Sequence, residues 1–568
     1  LTGNLYFNVV LQNSRFPWER HLTVHAASKG DTVRRTTWKI LLLLLIVILA
    51  ADRTVEAFQV TDDGASPTKS DSISTAPRIF VKQFTFTGNS VVSSEELANL
   101  SRSFTGRELT IEQLEELRQV LIARYVLKGY INSGVIIPDQ KILDGIVNLQ
   151  VIEGRLNTIT ISGLGHFRES YFNSRLGKGA NAPVNLNQLQ QSLQLLQQDE
   201  RIRKINAELQ PGKNPGESEL RLKIEEESPY KVTLRFNNDA APSTGAYRGE
   251  LALAHRNLLG FGDVLSADVG LTEGAFDFAA GYTVPLTRKD TSLGIYYRRN
   301  ASEVIEENYK DIDITSHSET FGVKLRQPLY RTSVAEVALS AAGECRESRS
   351  WLLGRPFSFS PGEHDGLARV SVVRLGQELV LRDNRYLFAL NSTFNIGVSA
   401  LGSTINDSAP DSRFFSWLGQ LVFLGKIGTT PHQVMFRTNT QLADSSLLPL
   451  ERFGLGGMNS VRGYRSNLLV RDSGINSSLE FRITLLDDVQ GWGVLQLVPF
   501  YDYGRGWNAS GETPDPDRIS AAGGGFRWTV RNLLLLEAYY GQSLTNVTIQ
   551  DHTLADRGVS FQLTVEVF

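Results

Sequence analysis

Residues 230–568 repeat one pattern: short segments in which apolar and polar side chains alternate, separated by clusters of Gly, Asn, Asp and Pro. A period of two sends successive side chains to opposite faces of a strand, so each segment has one greasy and one polar face. The last segment is the plainest. Val559, Phe561, Leu563, Val565 and Val567 share one face, and Ser560, Gln562, Thr564 and Glu566 the other. Segments start near Tyr230, Ala246, Asp263, Ala275, Thr291, Asp313, Ser333, Leu367, Arg385, Arg413, His432, Ile475, Leu495, Ile519, Leu533 and Gly558, about sixteen in all. An even number in one uninterrupted run predicts an all-β transmembrane barrel of antiparallel strands over residues 229–568. A soluble sandwich also alternates, but rarely needs so many strands in one run. Phe568 falls on the parity of the polar residues, which predicts a bulge or a lumen-facing end.

A barrel of this kind must be exported, and one stretch fits that need. Residues 40–51, ILLLLLIVILAA, make a run of about a dozen apolar residues, short of the ~20 that a spanning helix requires. Arg34, Arg35 and Lys39 precede it and Val55-Glu56-Ala57 matches a small-x-Ala cleavage site, so residues 33–57 read as a signal peptide. Residues 1–32 lie upstream of the charged region in a chain that does not open with Met, and read as a non-native upstream extension. Residues 58–77, rich in Ser, Thr, Asp and Pro, read as a disordered linker.

Composition excludes several functions. The net charge is −3 and the basic residues are scattered, which gives no footprint for nucleic acid. Cys345 is the single cysteine, so neither an internal disulfide nor a Cys-based zinc site is available, and its expected place is a small wall-facing position. The eight His residues form no ligand pair. No Gly-Lys-Ser/Thr follows a Gly-rich loop and no Gly-x-Ser-x-Gly is present, so no nucleotide, metal, cofactor or catalytic role is expected.

Residues 78–154 have a different pattern. Residues 79–88 read as one strand ending at a Gly-Asn turn, and Ser93 or Ser94 caps a short helix. Thr110-Ile111-Glu112-Gln113 has the form of a capping box, and Leu114, Leu117, Leu121 and Tyr125 stripe the helix that follows. Strands near 135–137 and 146–152 complete a β-α-α-β-β order, and residues 155–228 repeat it, with Leu186, Leu189, Leu193 and Leu196 as the second stripe. This order resembles the POTRA domain of outer-membrane protein transporters. The stretch 124–140, with Gly129, Tyr130, Pro138 and Gln140, and the closing Val151-Ile152-Glu153-Gly154 are similar to the first POTRA domain of two-partner secretion transporters, the haemolysin/haemagglutinin activator-secretion family. A small three-stranded sheet leaves an open edge, which can accept an extended peptide as an added strand.

Late in the barrel region lies GLGGMNSVRGYRSNLLVRD, residues 454–472, too Gly-rich for a helix. Its centre is Val461-Arg462-Gly463-Tyr464. Alone, such an Arg reads as a solvated turn residue. With Phe500-Tyr501-Asp502-Tyr503-Gly504 downstream, the pair of motifs resembles those of the POTRA-barrel superfamily. That resemblance implies a loop folded into the lumen, with Arg462 paired to Asp502 on the inner wall beside Phe500 and Gly504. Alternation places Asp502 on the face of Val498, Phe500 and Gly504 but leaves open whether that face is the inner one. Gly463 and Gly504 are small enough for close approach of loop and wall. The implied function is translocation of an unfolded exported partner protein, adhesin- or cytolysin-like, with POTRA domains in the periplasm as receptor and a barrel in outer-membrane lipid as pore. The alternative is an insertase that assembles other barrels.

Overall fold

The computed structural model describes residues 8–12 and 78–567, apart from 181–182, 409, 489–490, 532 and 548–552. The expected extension, signal peptide and linker, and Phe568, lie outside the described residues. The exception is Asn8–Gln12, a strand that pairs antiparallel with Ile202–Pro211.

The first α+β unit begins with a departure from the sequence reading. Residues 79–88 form two strands, Ile79–Val81 and Gln83–Thr87, broken at Lys82. The first pairs with Arg107–Leu109, while the second runs parallel to Ile146–Ile152. One continuous strand could not serve two partners in different sheets. Ser93 caps the helix Ser94–Ser101 through its side chain, and Thr110 and Gln113 form a reciprocal capping box on Ile111–Leu127. Leu114, Leu117, Leu121 and Tyr125 are all buried in the core with Val135, Val147, Leu149 and Val151.

The second unit repeats the plan: Arg155–Ser162, helices Glu169–Ala180 and Leu186–Gln197, then Ile202–Pro211 and Glu217–Glu226. The repeat extends to one turn. Gly88 and Gly163 both have positive φ, and a Cβ on either would lie 2.3 or 2.2 Å from a strand carbonyl, of Val151 and Ile224 respectively. Two residues beyond each carbonyl stands a Glu that collects the N–H groups of the turn. Glu153 accepts from the N–H groups of Ser90 and Val91, and Glu226 from those of Gly165, His166 and Phe167.

From Tyr230 every described strand pairs antiparallel with its neighbour, and the sheet closes. Val494–Leu497 and Phe500–Trp507 are one strand interrupted at Val498-Pro499, and Arg355–Pro356 only extends a hairpin, so sixteen strands form the barrel. Their starts fall within two residues of the sequence-read segments. Leu234, Phe236, Phe321, Val323 and Leu325 point outward and are exposed, the band that lipid requires. The opposite parity carries ion pairs across the lumen wall, such as Arg326 with Glu378 at 2.6 Å and Glu336 at 2.7 Å. Closure joins Tyr230–Asn237 to Val559–Glu566 in register Thr233↔Glu566 to Asn237↔Gln562. Past the last pair, the Asn238 side chain donates to the Val559 carbonyl and accepts from the Phe561 N–H, both at 2.8 Å. Cys345 lies in register with Phe321 and Ser371 and is half-buried.

The second unit docks on one end of the barrel. The Arg168 N–H donates to the Gly260 carbonyl, Arg201 to the Gly262 carbonyl, and Arg175 to Asp290. Gln198 bridges the Ser333 carbonyl at 3.0 Å and Arg382 at 3.1 Å.

One prediction concerns Glu153. Burial alone pushes its carboxyl up, but the hydroxyl and N–H of Ser90, the Val91 N–H and the Tyr125 hydroxyl together hold it below its ordinary value of 4.5. Its stabilisation is therefore complete above pH 4.5 and is lost as pH falls through the lowered value. Glu153→Ala should cost residues 78–154 about 1–3 kcal/mol at neutral pH. Hydrogen exchange of the full-length protein, faster over those residues and with a smaller difference from wild type in acid, checks it.

Candidate functional site

The chain between the strands Gln433–Ala443 and Ser473–Asp487 folds into the lumen rather than out from the rim. A short hairpin stiffens it, pairing Phe453–Leu455 with Leu469–Arg471. Gly456 and Gly457, at φ 107° and 93°, then reverse the chain. At its root Leu447 and Leu448 pack on Ala368, Val370 and Val372, and the Glu451 carboxylate accepts from Arg346 at 2.6 Å and Arg374 at 2.9 Å. At its tip Asp239 accepts from the Met458 N–H at 2.7 Å and the Asn459 amide at 2.9 Å, and Arg465 pairs with Asp556 at 2.9 Å.

Within the tip lies Arg462, 1% exposed, with Val461 and Tyr464 buried beside it. Two rows of the wall receive it. Register places Ser478 opposite Asp502 and Ala521, and Glu480 opposite Phe500 and Gly523. Arg462 Nε and Nη2 donate to the two oxygens of Asp502 at 2.7 and 2.8 Å, a parallel fork, and the Arg462 backbone N–H adds a third bond at 3.0 Å. Nη1 donates to Glu480 and Nη2 also to Ser478, both at 2.9 Å. The guanidinium carbon sits 3.5 Å from the Phe500 ring centroid and 4.9 Å from that of Tyr539. The Tyr464 hydroxyl donates to the Ser520 carbonyl at 2.8 Å.

Small residues admit the loop backbone. Gly463 has φ 87°, and a Cβ there would lie 2.7 Å from the Gly541 carbonyl oxygen; one on Gly541 would lie 2.8 Å from the Gly463 nitrogen. A Cβ on Gly504 would lie 2.9 Å from Val461. The face left open by alternation is the inner one: Phe500, Asp502 and Gly504 are buried, whereas Tyr501 is 48% exposed on the outside.

The POTRA signature residues lie apart from the lumen, in the first α+β unit, with Gly129 and Gly154 at its joint to the second. Gly129, at φ 91°, follows the helix Ile111–Leu127, and its carbonyl accepts from the Leu186 N–H at 2.9 Å. Tyr130 sets its ring edge-on to Tyr125. Gly154 accepts from the Val184 N–H and faces Asn132, against which a Cβ would lie at 2.7 Å. Pro138 ends the edge strand by lacking an N–H, and the Gln140 side chain replaces the missing ladder. It accepts from the Asn148 N–H at 2.7 Å and donates to the Asn148 carbonyl at 2.8 Å.

Ser478, Glu480, Tyr539, Asp239, Glu451 and the Arg465–Asp556 pair escaped the sequence reading. A signal existed for two of them. Asn476, Ser478, Glu480 and Arg482 occupy every second position of one strand, a stripe too polar for lipid. The others meet the loop across long separations that one sequence does not reveal.

A closed barrel with an apolar outside, an ionic lumen, an inserted loop and α+β units at one end defines the class of POTRA-barrel transporters of the outer membrane. The model of the haemolysin secretion/activation protein family ShlB/FhaC/HecB matches residues 216–528, more than half of the chain, and that of the ShlB-type POTRA domain matches residues 79–154. The chain belongs to this family of two-partner secretion outer-membrane transporters, whose POTRA domains are periplasmic. It is 24% identical over 412 residues to the outer membrane transporter CdiB of Dickeya dadantii (strain 3937), covering 70% of this chain and 71% of that one. It is 24% identical over 441 residues to the heme/hemopexin transporter protein HuxB of Haemophilus influenzae (strain 86-028NP), covering 74% of each. The solved structure of CdiB from Escherichia coli shares the fold, with a TM-score of 0.64 at 20% identity over 88% of this chain and 92% of that one.

Removing one partner of a buried ion pair leaves the other uncompensated, at a cost of about 3–5 kcal/mol. Asp502→Ala should therefore weaken loop docking by about that amount, with Asp502→Asn intermediate because one hydrogen-bond acceptor remains. The measurement is hydrogen exchange of residues 456–467 in the full-length protein, with strand residues as the internal reference.

Proposed function

We propose that this chain carries an unfolded exported partner, an adhesin- or cytolysin-like exoprotein, through the outer membrane to the cell surface. Residues 78–154 and 155–228 act as first and second POTRA domains and form the receptor; residues 229–568 form the pore. The loop bearing Val461-Arg462-Gly463-Tyr464 occupies the pore at rest, and its displacement opens the path. The observation that carries this reading is Arg462, a fully buried cation held in the lumen by Asp502 and Glu480 from the wall. A loop needed only to fill space would not require so specific and costly a charge.

Beside the loop a cavity of about 670 Å³ is lined by charges of both signs, among them Arg248, Glu250, Asp268, Asp277, Arg298 and Glu451. Interspersed donors and acceptors suit an extended backbone, which presents both along its length. With no nucleotide motif in the sequence, folding of the cargo outside supplies direction by removing the return path. The names of the relatives, an outer membrane transporter and a heme/hemopexin transporter, support transport, and the family match does not favour the insertase reading.

Arg462→Ala should lower secretion of the partner by about tenfold or more, given the size of a buried-pair loss, with the barrel still inserted. Normal secretion by that mutant would sink the role given to the loop. Deleting residues 78–154 should abolish capture of unfolded partner by the membrane-embedded protein, and undiminished binding would contradict the receptor assignment.

A further inference from the structure

Withdrawal of the loop, on the reading just given, exposes a problem on the wall. Glu480 and Asp502 are 4% and 0% exposed, and both lose Arg462. Arg482 already holds the other oxygen of Glu480 at 3.2 Å. Among the described residues, Asp502 takes its hydrogen bonds from Arg462 alone. A buried carboxylate with no cation is costly, and that cost opposes opening.

A cation stands in the same row. Register runs Arg437↔Ser478↔Asp502, so Arg437 is two strands from Asp502 on the same wall face and diagonal to Glu480. Two strand spacings make about 10 Å between the Cα atoms, which extended Arg and Asp side chains approach from both ends. Arg437 is under-used in the resting arrangement. Its guanidinium donates to the carbonyl of Met458, on the loop, at 3.1 Å, and its Nε is buried without a partner. The movement that removes Arg462 also removes Met458, so a single displacement frees the guanidinium, both oxygens of Asp502 and one oxygen of Glu480.

We propose that Arg437 is the wall's substitute cation: on loop release it leaves Met458 and pairs with Asp502 and Glu480, which lowers the cost of the open state. An anchoring role for Arg437 toward Met458 has the opposite sign, because losing an anchor eases opening.

The test uses the full-length protein in planar bilayers and in a stability cycle. Arg437→Gln keeps an amide that can donate to Met458 but removes the charge; its open-channel occupancy should fall by about tenfold, and Arg437→Lys should restore it. In the Arg462→Ala background, Arg437→Gln should reduce heat-resistant folded barrel by about tenfold more than the product of the single effects, because the two carboxylates then lack both cations. Unchanged or increased opening in Arg437→Gln, an additive double mutant, or failure of Arg437→Gln to fold while Arg462 is present would each overturn the proposal. Wild-type opening and secretion by Arg462→Ala would instead sink the loop reading, whatever Arg437 does.

Discussion

A guanidinium out of water must place five N–H donors at fixed angles, and the interior of this barrel is arranged around one that has placed four of them. Arg462 reaches Asp502, Glu480 and Ser478 from two adjacent rows of the wall while its flat face lies on Phe500. Each partner constrains the sheet. Asp502 and Ser478 must be in register across neighbouring strands, and Glu480 must fall one inward position further along. The loop cannot approach unless Ala521 and Gly541 leave room beside them, and Gly523 leaves room for the Phe500 ring. Register, side-chain size and charge are thus set together at one place.

How much of this was legible follows from the range of each signal. Strand positions were legible because alternation is local; the last strand shows its two faces within eight residues. The capping box at Thr110 and the stripe Leu114, Leu117, Leu121 and Tyr125 were legible for the same reason. The break at Lys82 was not read, although Lys82 and Gln83 set two polar residues side by side and the buried parity passes from Val81 to Phe84 across them; two separate partners then divide the segment. Asp502 was reached through a motif and not through parity. Glu480 and Tyr539 were missed because their part in the site depends on which residues face each other across strands, and a single chain does not state its register. Asp239 lies more than two hundred residues from the Ser466 and Asn459 that it binds.

The α+β units show a repeat deeper than element order. Glu153 and Glu226 end corresponding strands and collect the N–H groups of corresponding turns, and Gly88 and Gly163 make the same close approach. Such a carboxylate replaces a helix cap or a ladder bond where a short turn has no room for either. The joint between the units is polar and local: Asn185 donates to the Lys128 carbonyl and Leu186 to that of Gly129.

The second unit touches the barrel through the turns 256–263 and 286–291, Ser333 and Arg382, all in the first half of the barrel sequence. Arg462 is bound by the strands Ser473–Asp487 and Phe500–Trp507, in the second half. The second unit is thus seated on the first half of the ring, while the loop is tied to both halves, through Arg462 to the second and through Glu451, with Arg346 and Arg374, to the first. On the proposed function, a polypeptide handed over at the docked end meets a loop with two moorings, so that releasing Arg462 alone leaves the root joined to the arc that carries the second unit.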